Sequence, residues 1–254
     1  MNTIPRPEHP LPQWERENWI NLNGKWEFDF DYGRSARDRR LYESDEPLSR
    51  EIVVPFCPES ALSGIRHTDF IPSVCYRRSF TLTEEQTAGR VLLHFGAVDH
   101  DAYVYVNGKP AGTHTGGYTS FSFDITELIH PGDNTVFVSA DDDNRNGDQA
   151  SGKQSTLYHS HNCSYTRTTG IWQTVWLELT PKNYIRSAKY YPDIHNGALT
   201  ITGETAGGGV IEIYSGFEGR ATGGCTVKTG GGAFSARIEL SEMHLWELGC
   251  GGLY

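Results

Sequence analysis

Short runs rich in Val, Ile, Leu, Tyr, Phe and Trp, most of them bounded by Gly, Pro, Asn or Asp, recur along this 254-residue chain at 51–54, 74–82, 89–95, 101–106, 119–124, 134–140 and 172–179. None sustains a 3.6-residue apolar period, and even spacing of short strands with turn signals between them predicts an all-β chain built as a sandwich. In Lys25-Trp26-Glu27-Phe28-Asp29-Phe30 the alternation puts Trp26, Phe28 and Phe30 on one face, as in a half-buried strand. Tyr103-Val104-Tyr105-Val106 is apolar on both faces and should lie inside a sheet. Asn107-Gly108 follows it, and because both residues tolerate positive φ the pair predicts a tight hairpin. The 28 glycines and 12 prolines fit a protein of many turns.

A formal net charge of −10 argues against a nucleic-acid partner, which requires clustered Lys and Arg, while a neutral ligand such as a sugar is compatible. No apolar run approaches the ~20 residues that span a bilayer, and Met1-Asn2-Thr3-Ile4-Pro5-Arg6-Pro7 has no apolar signal-peptide core, so no membrane partner is expected and a cytoplasmic location is the default. Five cysteines, odd in number and scattered, suggest free and mostly buried thiols rather than a disulfide framework. The charged segment 32–47 reads as a solvated surface loop or short helix. The irregular stretch 141–169 is long for a compact domain, and such loops tend to carry function. A boundary falls at Thr180-Pro181-Lys182-Asn183. Beyond it, shorter strands at 184–191, 198–202, 209–214, 225–228 and 233–240 are expected, separated by turns at Gly207-Gly208-Gly209, Gly223-Gly224 and Gly230-Gly231-Gly232.

Five blocks in fixed order give the chain a resemblance: Ile4-Pro5-Arg6-Pro7-Glu8-His9-Pro10, Asn21-Leu22-Asn23-Gly24-Lys25-Trp26, Val54-Pro55-Phe56-Cys57-Pro58-Glu59-Ser60, Asn107-Gly108 through Gly116-Gly117-Tyr118, and Tyr165-Thr166-Arg167-Thr168-Thr169-Gly170-Ile171-Trp172-Gln173. Together they resemble the sugar-binding domain of glycoside hydrolase family 2, the family of β-galactosidases and β-glucuronidases. The resemblance implies a jelly-roll, galactose-binding-domain-like β-sandwich over 1–181, followed by an incomplete immunoglobulin-like β-sandwich over 182–254. Enzymes of this family are retaining glycosidases that hold two carboxyl groups ~5 Å apart across the sugar. Both sit on a (β/α)8 barrel that follows the second domain. No segment here has the barrel's alternating pattern, and the Asn-Glu dipeptide of the family's acid/base is absent. The chain is therefore expected to be a non-catalytic N-terminal portion whose carbohydrate substrate is met through the missing barrel. The same resemblance brings the loop before Gly170 and the loop at 66–70 to the pocket, making His67, Asp69, Asp143, Lys153, Gln154, Tyr165 and Arg167 its rim. Where the family usually has Trp this chain has Cys75, which implies local repacking.

Two clusters invite a metal reading. Asp141, Asp142, Asp143 and Asp148 match no calcium-loop spacing and read better as a solvated acidic loop; His159, His161 and Cys163 lack an evident fourth ligand. No metal and no cofactor is expected. Trp26, Trp172 and Trp176 lie in strand patterns where burial is the ordinary fate of a large aromatic, rather than a sugar-stacking platform. Two other readings compete: a stand-alone, lectin-like carbohydrate-binding protein, and an oligomerising module, since first domains of this family contribute to homo-oligomer contacts.

Overall fold

The computed structural model describes residues 4–145 and 148–252. The chain divides into two compact units, Met1–Thr180 and Pro181–Tyr254. In the first, the elements in chain order are β1 (Trp19–Asn21), β2 (Gly24–Phe30), β3 (Arg50–Val54), β4 (Ser73–Leu82), α1 (Glu84–Thr87), β5 (Arg90–Phe95), β6 (Val98–Asp99), β7 (Asp101–Val106), β8 (Lys109–Thr115), β9 (Phe121–Asp124), β10 (Gly132–Asp141), β11 (Gly170–Ile171) and β12 (Val175–Thr180). They form an antiparallel sheet of order β1-β12-β5-β9, a second of order β3-β2-β4-β10-β7-β8, and the short pair β11-β6. The core is a single cluster drawn from both large sheets. Val91, Leu93, Phe95, Val175 and Leu177 come from one, and Trp26, Phe28, Tyr76, Val104, Val136 and Val138 from the other. Alternation explains it: in β7 the residues Ala102, Val104 and Val106 are buried while Tyr103 and Tyr105 are half-buried on the opposite face. As anticipated, β7 lies inside its sheet, between β10 and β8, and Asn107-Gly108 turns the hairpin with φ of 50° and 74°.

The charged segment 32–47 does more than face solvent. Asp31 accepts from the backbone N–H groups of Ser35 and Ala36, curling the chain so that Ala36 packs with Cys75 and Phe137 on the outer face of the six-stranded sheet. Tyr42 stacks on Tyr105 at 3.9 Å, and the Arg37 guanidinium lies 3.6 Å from the centre of the Tyr103 ring while pairing with Asp141 at 2.7 Å. Cys75 is fully buried within this small cluster. On the other sheet the N-terminal arm is fastened by Asn23, whose amide donates to Pro5 O and Thr174 Oγ1 and whose oxygen accepts from Val175 N.

The second unit consists of β13 (Ile185–Asp193), β14 (Ala198–Phe217) and β15 (Arg220–Glu239), antiparallel in that order. The expected glycine turns are not turns. Gly208 pairs with Gly230 inside the β14–β15 ladder, next to a register shift between Thr205 and Gly208, and Gly223 and Gly224 pair with Ser215 and Tyr214. The reversal from β14 to β15 is the turn Glu218-Gly219, with φ of 49° and 77°. Glycine inside a strand marks a bulge or a close backbone approach as readily as a turn, and that is its use here. The long ribbon doubles back so that Ser241 N donates to Thr222 O at 2.8 Å, and Ile211 from its far half joins Ile201, Phe234 and Ile238 in a small core.

Candidate functional site

Residues of the last three sequence blocks meet around the turn that carries Gly170. Thr169 N–H donates to Glu59 Oε2 at 3.3 Å and Thr169 Oγ1 to Asp142 Oδ2 at 3.0 Å. Gly170 pairs with Asp99 in the β11–β6 bridge, Ile171 N–H donates to the Tyr76 hydroxyl, and Trp172 Nε1 donates to Gly117 O at 2.8 Å. Gly170 has φ of 71°, and a Cβ there would overlap the Tyr76 hydroxyl, so both conformation and space demand glycine. Gly117 is constrained by space alone, since a Cβ would collide with the Asp99 carboxylate.

Three buried carboxylates therefore surround this turn. Glu59 is pushed up to about 7, chiefly by burial; Asp99 is pushed up to about 7 by burial and then by the charge of Asp142; Asp142 is raised by burial despite accepting from Gln149, Thr169 and Asn144. Glu59 Oε1 and Asp99 Oδ1 are buried without a hydrogen-bond partner among the described residues. Taking a carboxylate out of water without full compensation favours its neutral form. Neither Glu59 nor Asp99 stands out by local pattern. Glu59 lies in one of the recognised blocks, and that position is the only signal that could have singled it out.

The rim residues fall into three groups. Gln154 is central to the first: its Nε2 donates to Asp99 Oδ2 at 2.6 Å and to the Tyr118 hydroxyl at 3.3 Å, while its Oε1 accepts from Thr168 N–H. Tyr165 is bridged to Gln154 through the backbone, Tyr165 N donating to Lys153 O and Ser155 N to Tyr165 O, and its ring is 60 % exposed beside exposed Lys153. Tyr118, which sequence reasoning passed over, is 51 % exposed and edge-on to Trp172. In the second group His67 packs on Phe30 at 4.8 Å and meets the Tyr32 hydroxyl at 3.3 Å, while exposed Asp69 accepts from Phe70 N–H. Asp143 forms the third, paired with Arg34 at 3.4 Å across a partly exposed gap.

Arg167 is placed differently from the others. Its side chain is buried, stacks 4.1 Å from the Phe70 ring centre, and donates to the carbonyls of Ser155, Leu157 and Thr68. It ties the 66–70 loop to the 143–169 loop instead of presenting its cation outward. His161 Nδ1 lies 3.1 Å from Ser155 Oγ, Cys163 is exposed, and the described residues contain no group of three His, Cys, Asp or Glu placed to hold a metal ion. Trp26 and Trp176 are fully buried and Trp172 half-buried. The described residues contain a single α-helix, the four-residue α1, and so no (β/α)8 barrel.

A family model described as glycosyl hydrolases family 2, sugar binding domain, matches residues 20–181. The β-galactosidase of Thermoanaerobacter pseudethanolicus is 34% identical over 175 residues, covering 68% of this chain and 22% of that protein. Human β-glucuronidase is 32% identical over 122 residues, covering 44% of this chain and 18% of that protein. The chain thus spans about a fifth of the length of such relatives. The solved β-glucuronidase of Ruminococcus gnavus in complex with a C6-substituted uronic isofagomine superposes with a TM-score of 0.72 at 19% identity, over 94% of this chain and 42% of that one. That of Bifidobacterium dentium gives 0.71 at 22% identity, over 93% and 44%. At such identities the solved structures speak for the fold.

Proposed function

We infer the role of this chain from its family: it belongs to glycosyl hydrolase family 2, whose sugar-binding domain occupies 20–181. It corresponds to the N-terminal part of such a glycosidase. We propose that the parent enzyme is a retaining β-glycosidase of the β-galactosidase or β-glucuronidase type, and that this portion shapes one wall of its substrate pocket without supplying the reacting carboxylates. The observation that carries the reading is the fastening of the 143–169 loop. Glu59, Asp99, Asp142 and Arg167, from four separate stretches of chain, fix a loop that would otherwise cost conformational entropy to order on each binding event. With the loop fixed, Tyr165, Lys153, Asp143 and, from the neighbouring loop, Asp69 and His67 are held ready to meet a hydroxylated substrate. Gln154 and Arg167 act behind them, as ties. The five free cysteines support a reducing, cytoplasmic location.

A chimera tests the pocket role. This chain would replace the matching N-terminal segment of the Thermoanaerobacter β-galactosidase. The expected result is an active hybrid in which Tyr165→Ala and Asp143→Ala raise KM, by roughly tenfold for a lost hydrogen bond to substrate, while kcat for an aryl β-galactoside changes less. An active hybrid whose KM ignores both substitutions would overturn the reading.

A further inference from the structure

A cavity lined by no rim residue lies elsewhere on the first unit. It is an open cleft of about 630 Å³ between the Tyr42–Asp45 segment and the outer face of the six-stranded sheet, within the size range of small-ligand sites. It is lined from four strands and a turn: Glu27 on β2, Arg77 and Ser79 on β4, Thr135 on β10, Lys109 at the start of β8, and Asn107-Gly108 in the turn before it.

We propose that this cleft binds a neutral oligosaccharide, in a site separate from the rim. The first argument is chemical. A sugar hydroxyl donates and accepts at once, so a saccharide site needs acceptors and donors side by side. Asp45 supplies a carboxylate acceptor, Ser79 and Thr135 hydroxyls, and Lys109 an ammonium, while the Glu43 carboxylate is already paired with Arg40. Lys109 is exposed and has no carboxylate within ion-pair distance among the described residues, so its donors are not committed to an acid. The second argument is charge. Glu27 is paired with Arg77, whose guanidinium also donates to Glu46 O and Leu41 O, and Glu43 is paired with Arg40, which leaves Asp45 and Lys109, one charge of each sign. An anion would meet Asp45 and a cation Lys109, whereas a neutral polyol meets neither penalty.

The third argument is rigidity. Asn107 is locked, its amide donating to Leu128 O and Asn134 Oδ1 and its oxygen accepting from Thr135 N–H. Tyr42 is held by its stack on Tyr105. A cleft fixed in this way loses little freedom on binding, which is where weak polar sites otherwise lose affinity. The openness of the cleft to water and its few apolar surfaces limit the affinity to the weak range typical of such hydrogen-bonded contacts.

Saturation-transfer NMR with the whole 254-residue chain tests this, using lactose, cellobiose and xylobiose as neutral probes and glucuronic acid as the charged comparator. Expected are transfer to at least one neutral disaccharide in preference to the acid, affinity weakened roughly tenfold by Asp45→Ala and by Lys109→Ala, and transfer that persists when Asp69→Ala and Tyr165→Ala remove the rim's own contacts. All four side chains are exposed, and circular dichroism of each variant would check that the fold is kept. No transfer to any neutral disaccharide, transfer indifferent to both cleft substitutions, or transfer abolished by the rim substitutions would each overturn the proposal. The last outcome would move sugar binding to the rim and leave the pocket reading intact; the first would leave that reading untouched, because it rests on the hybrid enzyme.

Discussion

Gly170 shows how much a single missing methyl can decide. Its φ of 71° suits glycine, and the Tyr76 hydroxyl occupies the space a Cβ would need. Gly170→Ala should therefore cost ~2–4 kcal/mol in denaturant melts, of which ~1–2 kcal/mol is the left-handed backbone. Adding Tyr76→Phe, which removes the hydroxyl, should recover part of the steric cost, since Val74 Cγ2 would still lie 2.9 Å from the added methyl, and leave the backbone part. The neighbouring carboxylates predict a pH dependence with opposite signs at two sites. Glu59 and Asp99 have folded values raised to about 7, so the stability they contribute is fully present below the ordinary carboxylate range and is lost as pH rises through about 7. Glu178 behaves in the other direction. Burial would raise it, but His94 and then Arg16 outweigh burial and hold it down to about 2, so its contribution is present above its ordinary value and lost as pH falls through about 2. Melts between pH 5 and 8 should show the parent chain weakening as pH rises, and Glu59→Gln with Asp99→Asn should flatten that slope; an unchanged slope would mean these groups stay ionised throughout.

At the level of elements, β12 and the β14–β15 ribbon differ in what supports them. Trp176 in β12 is fully buried, stacked on His94 at 4.8 Å and edge-on to His9, so Trp176→Ala should destabilise by ~3–5 kcal/mol. Trp172, half-buried and held by one hydrogen bond to Gly117, should cost less when truncated. Equal losses in parallel denaturant melts would show that exposure does not set the difference. The ribbon rests on a core of four buried apolar residues, against twenty-four in the main cluster of the first unit, among the described residues. Hydrogen exchange should accordingly find β13, β14 and β15 exchanging faster than β4, β10 and β7; equal protection would show that the small core is stabilised by something other than its own burial.

For the whole molecule, the absence of a (β/α)8 barrel among the described residues has a direct catalytic consequence. Retaining hydrolysis needs a rigid pair of carboxyl groups astride the sugar. The buried carboxylates around the Gly170 turn are occupied in holding a loop, Glu59 and Asp142 accepting from Thr169 and Asp99 from Gln154, while buried Glu178 is paired with Arg16. The chain alone should show no turnover of aryl β-galactosides or β-glucuronides in a chromogenic assay. Turnover removed by Asp143→Ala or Asp69→Ala would place the chemistry on this chain after all.

Strand positions in the first unit, the Asn107-Gly108 hairpin and the burial of Trp26 and Phe28 were legible in the sequence because alternation and turn chemistry are local properties, readable within a few residues. The family was legible for the same reason, since each block is a short contiguous string. The glycine clusters after residue 206 misled, because a glycine's local signature is the same in a turn and in a bulge, and only the partner strand separates the two. Arg167 misled in a similar way: a guanidinium in a polar loop reads as outward-facing until Phe70 and three carbonyls from two loops are found to enclose it. The carboxylate cluster was out of reach of any local reading. Glu59, Asp99, Asp142 and Thr169 are separated by 27 to 110 positions wherever they bond, and desolvation, which gives these acids their character, comes from atoms that only folding brings near.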